Sequence, residues 1–136
     1  MQILTFTVSW VLFIGLLLAP IFLFFKLKQS KWHFLSYFIL GLVITSGITL
    51  AFAWWADYSD KLLLNHYGYD PDAMTASERY ANVKRENLVK VKEIEIGYYG
   101  IGWPLKAIVI YALYLPYLLI AYPAGITYRK MKQRKK

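Results

Sequence analysis

Cysteine is missing from all 136 residues. That excludes disulfides, thiolate-bound metals, iron–sulfur clusters, covalently attached haem and S-palmitoylation, and it leaves the compartment open. Carboxylates are missing from most of the chain. All eight acidic residues lie between Asp57 and Glu95, and an ionised carboxylate in hydrocarbon costs several kcal/mol. Their absence over long stretches on either side is what membrane-crossing segments require. Histidine is scarce too: only His33 and His66 occur. They are expected at opposite sides of the membrane, so bis-histidine haem b within this chain is excluded, although an axial ligand shared with a partner is not. The plain reading is one interfacial and one loop histidine.

Catalytic spacing is also lacking. The sequence has no Gly-x-Ser-x-Gly, no His-Glu-x-x-His and no phosphate-cradling glycine loop. Ser46 has no ionisable partner at its expected depth, which argues against an intramembrane hydrolase. The apolar runs hold no carboxylate or histidine relay for a proton path built from this chain alone. Asp57, Asp60, Asp70 and Asp72 could gather around a hard cation. However, Met74 occupies the third ligand position of a calcium loop begun at Asp70, and no glycine follows where that loop turns. Solvated acids are expected there. No catalytic residue, cofactor site or metal site is nominated.

What the sequence does have is apolar mass. Hydrophobic residues make up 58% of it and the mean hydropathy is +0.38, above ordinary globular composition. Three long apolar runs stand out, over about 3–25, 33–56 and 107–126. Each is long enough to cross a core of about 30 Å at 1.5 Å per residue. The first lacks the leading positive charge of a signal peptide and is read as an uncleaved helix. Pro20 is expected to bend it and Pro116 to kink the third span, while Pro123 and Gly125 loosen the inner end of that span.

Sixteen basic residues against eight acidic give a net charge of +8. Their placement points to membrane flanks rather than nucleic acid. Lys26, Lys28 and Lys31 lie between the first two spans, and Arg129, Lys130, Lys132, Arg134, Lys135 and Lys136 follow the third. An N-terminus outside puts these nine on the cytoplasmic side, with no acid among them. The loop from 57 to 100, with eight acids and six bases, then lies outside, as the positive-inside rule requires. The tail is a topology anchor that can also meet anionic lipid headgroups. Trp32 is expected at the inner interface. Trp54, Trp55 and Trp103 are expected at the outer one, where Lys106 can snorkel to the headgroups.

The expected fold is therefore an all-α membrane protein: three transmembrane helices with an extracytoplasmic loop containing an amphipathic helix. Its parts are a transmembrane hairpin over 1–56, the loop over 57–100, a third transmembrane helix over 101–127 and a basic tail over 128–136. In the loop, Leu62 to Leu64 reads as a brief interfacial helix, and Gly68 and Asp70-Pro71 read as turns. Thr75 and Glu78 have capping-box spacing. A helix over 76–95, stopped near Gly97, would put Tyr80, Val83, Leu88, Val91 and Ile94 on one docking face and pair Glu86 with Lys90. The alternating stretch VKVKEIEI keeps a strand open there.

Two constellations bear on function. Gly41, Thr45, Thr49 and Ala53 recur every fourth residue, a stripe on which a second helix can pack closely. Tyr111, Tyr114 and Tyr122 share one side of the third span, with Tyr117 further round. They either pack their hydroxyls against another helix or line a groove for lipid, quinone or substrate. The reading that follows is a small non-catalytic accessory or assembly subunit of a bacterial inner-membrane complex. Its partners would be other membrane subunits or copies of itself. The rival is a homo-oligomeric carrier or lipid- or quinone-binding protein.

Overall fold

A backbone crossing hydrocarbon finds no water to bond, so each long apolar run must close its own hydrogen bonds as a helix. The computed structural model describes residues 1–27 and 32–134. In chain order it contains α1 (Gln2–Lys26), α2 (His33–His66), α3 (Ala76–Arg79), a 3-10 turn (Arg85–Asn87), α4 (Leu88–Tyr98) and α5 (Trp103–Arg134). No strand occurs among the described residues. α1, α2 and α5 are each long and apolar enough to cross a membrane, and the protein is an all-α, membrane-embedded one. Lys28, Lys31, Lys135 and Lys136 of the expected basic flank lie outside the described residues.

α1 and α5 both pack on α2 and on each other. The core between them comprises Leu16, Leu23 and Phe24 of α1, Tyr37 of α2, and Tyr114 and Leu118 of α5. Two of the three helices run through residues that would break a helix in water. Pro20 lies inside α1, and Pro116 and Pro123 lie inside α5. Two glycines set how close the helices come. A Cβ on Gly41 would sit 3.1 Å from Leu118, and one on Gly125 would sit 2.6 Å from the Phe24 ring.

The segment between the second and third apolar runs differs from expectation in three ways. First, α2 does not stop at 56 but runs ten residues further, about 15 Å at the helical rise. Leu62 to Leu64 continue it rather than forming a separate helix, and Leu64 is fully buried. Second, the helix expected over 76–95 is two helices. Its capping box is present, with Thr75 and Glu78 each satisfying the other's backbone, but α3 ends after one turn. Third, VKVKEIEI is helical, and α4 passes through Gly97 to Tyr98. The break has a long-range cause. Tyr80 donates its hydroxyl to Glu95, and a continuous helix would hold these two about 22 Å apart. Glu86 therefore falls in the 3-10 turn. The ion pairs among the described residues are Lys61–Asp72 (2.9 Å) and Lys106–Asp57 (3.8 Å), not Glu86–Lys90.

These pieces form a small cap on the end of α2. Leu64, Tyr69 and Val91 are its buried centre, flanked by Tyr67, Tyr80, Val83, Ile94 and Tyr98. Gly68 makes the sharp exit from α2. Its φ of +83° and an Asn82 carbonyl 2.4 Å from where a Cβ would sit leave room only for glycine. α1 also reaches the cap, where the Gln2 amide donates to the Tyr67 hydroxyl at 2.6 Å.

Candidate functional site

The stripe on α2 faces the bundle interior. Gly41, Thr45, Thr49 and Ala53 are all buried, and the close neighbours are α1 and α5 of the same chain. Thr45 and Thr49 donate their hydroxyls one turn back, to the carbonyls of Gly41 (2.6 Å) and Thr45 (2.8 Å). That back-bonding hides their polarity within the helix.

The tyrosines of α5 point the same way. Tyr114 donates to the Leu16 carbonyl at 2.8 Å, Tyr111 to that of Leu42 at 3.0 Å, and Tyr117 to that of Leu17 at 2.7 Å. Tyr111 also meets the Thr45 hydroxyl at 3.1 Å. Tyr37 returns the contact from α2, donating to the Leu118 carbonyl at 2.9 Å. The Leu16 bond has a distinct role. In a regular helix Leu16 would accept from the amide of residue 20, which is proline and has none. The Tyr114 hydroxyl supplies the missing donor, the kind of repair that lets proline stay in a membrane helix.

Tyr122 belongs to a different group. It lies 3.2 Å from Nδ1 of His33, and both pack around the Phe24 ring together with Tyr37. His33 is therefore buried in an aromatic box at the start of α2, with Nε2 lacking a hydrogen-bond partner. Sequence reasoning missed this box. The available signal was the aromatic density on both sides of the loop: Phe24, Phe25, Phe34 and Tyr37. His66 ends the same helix, about 50 Å away by helical rise.

The cap face assembles internally. Val91 is fully buried, and Tyr80, Val83, Leu88 and Ile94 are half-buried. Val91 meets Leu64 and Tyr69 from α2 and the segment after it, with Tyr80, Val83 and Ile94 packed around them. Its polar centre is Glu95, which accepts from Tyr69 (2.6 Å) and from Tyr80. Burial works against the charged carboxylate, but the two hydroxyls, aided by Arg79 and Lys92, outweigh it and hold the Glu95 pKa below its ordinary value. Burial first, and then the bond to Glu95, push Tyr69 up and raise Tyr80 to about 12. This clamp was also missed. Its signal was an acid four residues after Val91, on the same inward face.

Of the tryptophans expected at the interfaces, Trp54 is exposed and stacks on Tyr58 with centroids 5.2 Å apart. Trp55 is half-buried, and its indole N–H lacks a partner. Trp103 opens α5 half-buried, and Trp32, exposed, precedes α2. Lys106 bonds the Gly97 carbonyl at 3.0 Å and faces Asp57, so it ties the foot of the cap to α5. The four loop aspartates form two separate pairs, with Asp60 facing the same Lys106 as Asp57. Asp57 lies by Lys106 and Asp72 by Lys61, while Asp70 accepts the Asp72 amide. Among the described residues no three metal-ligating groups come together. Comparison with family models, with curated proteins and with solved structures found no match to this chain.

Proposed function

We propose that this chain is a small non-catalytic accessory or assembly subunit of a larger complex in a bacterial inner membrane. Its N-terminus and cap face outward, and its basic tail faces the cytoplasm. The observation that carries the proposal is the apolar surface left on the cap. The stripe on α2 and the inward face of α4 are occupied within the chain. By contrast, Met74, Val89 and Ile96 stand 93%, 69% and 75% exposed on the segment outside the apolar spans. Val89 and Ile96 are seven residues apart on one face of α4. Apolar side chains of this size beyond the lipid-facing surface favour contact with the outer segment of another membrane subunit. Anchoring at three points, through α2, Gln2 and Lys106, makes the cap a firm platform for such a contact.

The rival carrier reading drew on a tyrosine-lined groove. With Tyr111 and Tyr114 bonded to backbone carbonyls of α2 and α1, and Tyr122 packed against His33 and Phe24, it has less support.

Photocrosslinking amino acids at Val89 and Ile96, with Lys130 as control, test the proposal in native membranes. A discrete protein adduct from the two cap positions and none from Lys130 is the expected result. Adducts to lipid alone, together with a monodisperse monomer in mild detergent that brings nothing with it, would count decisively against a subunit role.

A further inference from the structure

At the end of the bundle where α1 and α5 both finish, the two helices touch closely at Phe24 and Gly125. Beside that contact lies an apolar groove of about 590 Å³, bounded by Ile21 and Phe25 on α1 and by Ile120, Ala121 and Ala124 on α5. Tyr117 lines it as well, and Tyr128 and Lys132 continue the same face of α5 beyond the apolar stretch. The groove thus runs from a hydrocarbon-like wall to a hydroxyl and a cation, which complement the acyl chain and the phosphate of a phospholipid.

The surrounding charge has one sign. Lys26, Arg129, Lys130, Lys132 and Arg134 all belong to this end, and the sequence has no acid before Asp57 or after Glu95 to balance them. Arg129 is held in place. Its guanidinium lies 4.4 Å from the centroid of the Phe24 ring and 5.4 Å from that of Phe25, and it donates to the Phe24 carbonyl at 3.0 Å. A guanidinium fixed by π-faces and a carbonyl keeps its full positive charge and further donors for an external anion. A neighbouring apolar helix without carboxylates would satisfy the groove walls but would leave these cations without counter-charge. A zwitterionic headgroup would bring its own ammonium into the cluster.

We propose that this groove is a binding site for an anionic phospholipid, with an acyl chain between α1 and α5 and the phosphate against Tyr128, Arg129 and Lys132. Its volume falls in the range of small-molecule sites. The inference holds whichever way the chain is oriented, and it is independent of the subunit role.

Native mass spectrometry of the full chain released from detergent tests it, with phosphatidylglycerol, phosphatidylcholine and glycerol phosphate as probes. Retention of phosphatidylglycerol at least about tenfold above phosphatidylcholine is expected, with no retention of glycerol phosphate. Lys132→Gln should cut that retention about fivefold, in line with one basic residue at an anionic surface. Arg134→Gln, which changes a cation outside the lining, should leave it within about twofold. Ala124→Leu, which fills the groove at an exposed position, should remove most of it while both headgroup cations remain. Equal retention of the two lipids, or equal losses from Lys132→Gln and Arg134→Gln, would reduce the site to diffuse attraction and overturn the proposal. So would unchanged binding in Ala124→Leu, or competition by glycerol phosphate as strong as that by the lipid.

Discussion

Tyr114→Phe removes a single oxygen, and the structure gives that oxygen an uncommon role. The hydroxyl reaches the Leu16 carbonyl, whose regular helical donor is absent because residue 20 is proline. Leu16 and Tyr114 are both buried, so water cannot take over. A buried carbonyl left without a partner costs about 1–3 kcal/mol, whereas an ordinary interhelical hydrogen bond in a membrane protein averages about 0.6 kcal/mol. Tyr114→Phe is therefore expected to cost about 2 kcal/mol. Tyr117→Phe, whose acceptor Leu17 keeps the Ile21 amide in register, is expected to cost about 0.6 kcal/mol. The cycle that isolates the effect pairs Tyr114→Phe with Pro20→Ala, which restores the amide. In that background the tyrosine hydroxyl becomes one bond among two, and its loss should fall to the ordinary value, giving a coupling of about 1–2 kcal/mol. Equilibrium unfolding in mixed detergent micelles, followed by far-ultraviolet circular dichroism, measures all four variants. If Tyr114→Phe costs the same with and without Pro20, the repair argument is wrong.

Three further outcomes follow from the cap. Glu95→Ala deprives Tyr69 and Tyr80 of their acceptor; charged hydrogen bonds contribute about 1.5–3 kcal/mol each, partly recovered when half-buried Tyr80 reaches water. Amide exchange in α4 should then speed up about 100-fold, with the membrane helices unchanged; uniform loss of protection would refute a local role. The pH dependence of the cap has a definite sign. Because the Glu95 pKa is lowered on folding, its contribution is complete above the ordinary value of 4.5 and is lost as pH falls through the folded value. The raised Tyr80 pKa does the reverse, its contribution fading as pH climbs from 10 towards about 12. Exchange protection that does not change between pH 6 and pH 3.5 would rule out the first. Gly68→Ala meets both a positive φ and the Asn82 carbonyl, at a cost of about 2–4 kcal/mol. Faster tryptic cleavage at Lys84 and Arg85 is the readout.

The membrane helices were legible because hydrocarbon imposes a rule on every residue of a long segment: no charge over about twenty positions. The cap was less so, because its order comes from single contacts between distant residues. Asp57 to His66 reads locally as the start of a loop, with charges at 57, 60 and 61. It stays helical because Leu64 is covered by Val91, twenty-seven residues on. The capping box at Thr75 was readable, since it is made within four residues. The end of α3 was not, since it depends on Tyr80 reaching Glu95. The inward face of α4 was readable from its period, but that it closes on its own chain rather than on a partner was not. The tyrosine side of α5 was visible as a pattern. That one of those hydroxyls answers a proline in α1 needed both helices in place.

α2 enters the bilayer and continues into the cap as one rod of 34 residues, about 51 Å long. A rod passes rotation along its whole length. If the bundle leans by about 10° to suit a thinner bilayer, a point about 30 Å above the midplane swings sideways by roughly 5 Å. Bilayer thickness would thus be converted into lateral position of the cap, with no hinge along the way to absorb it.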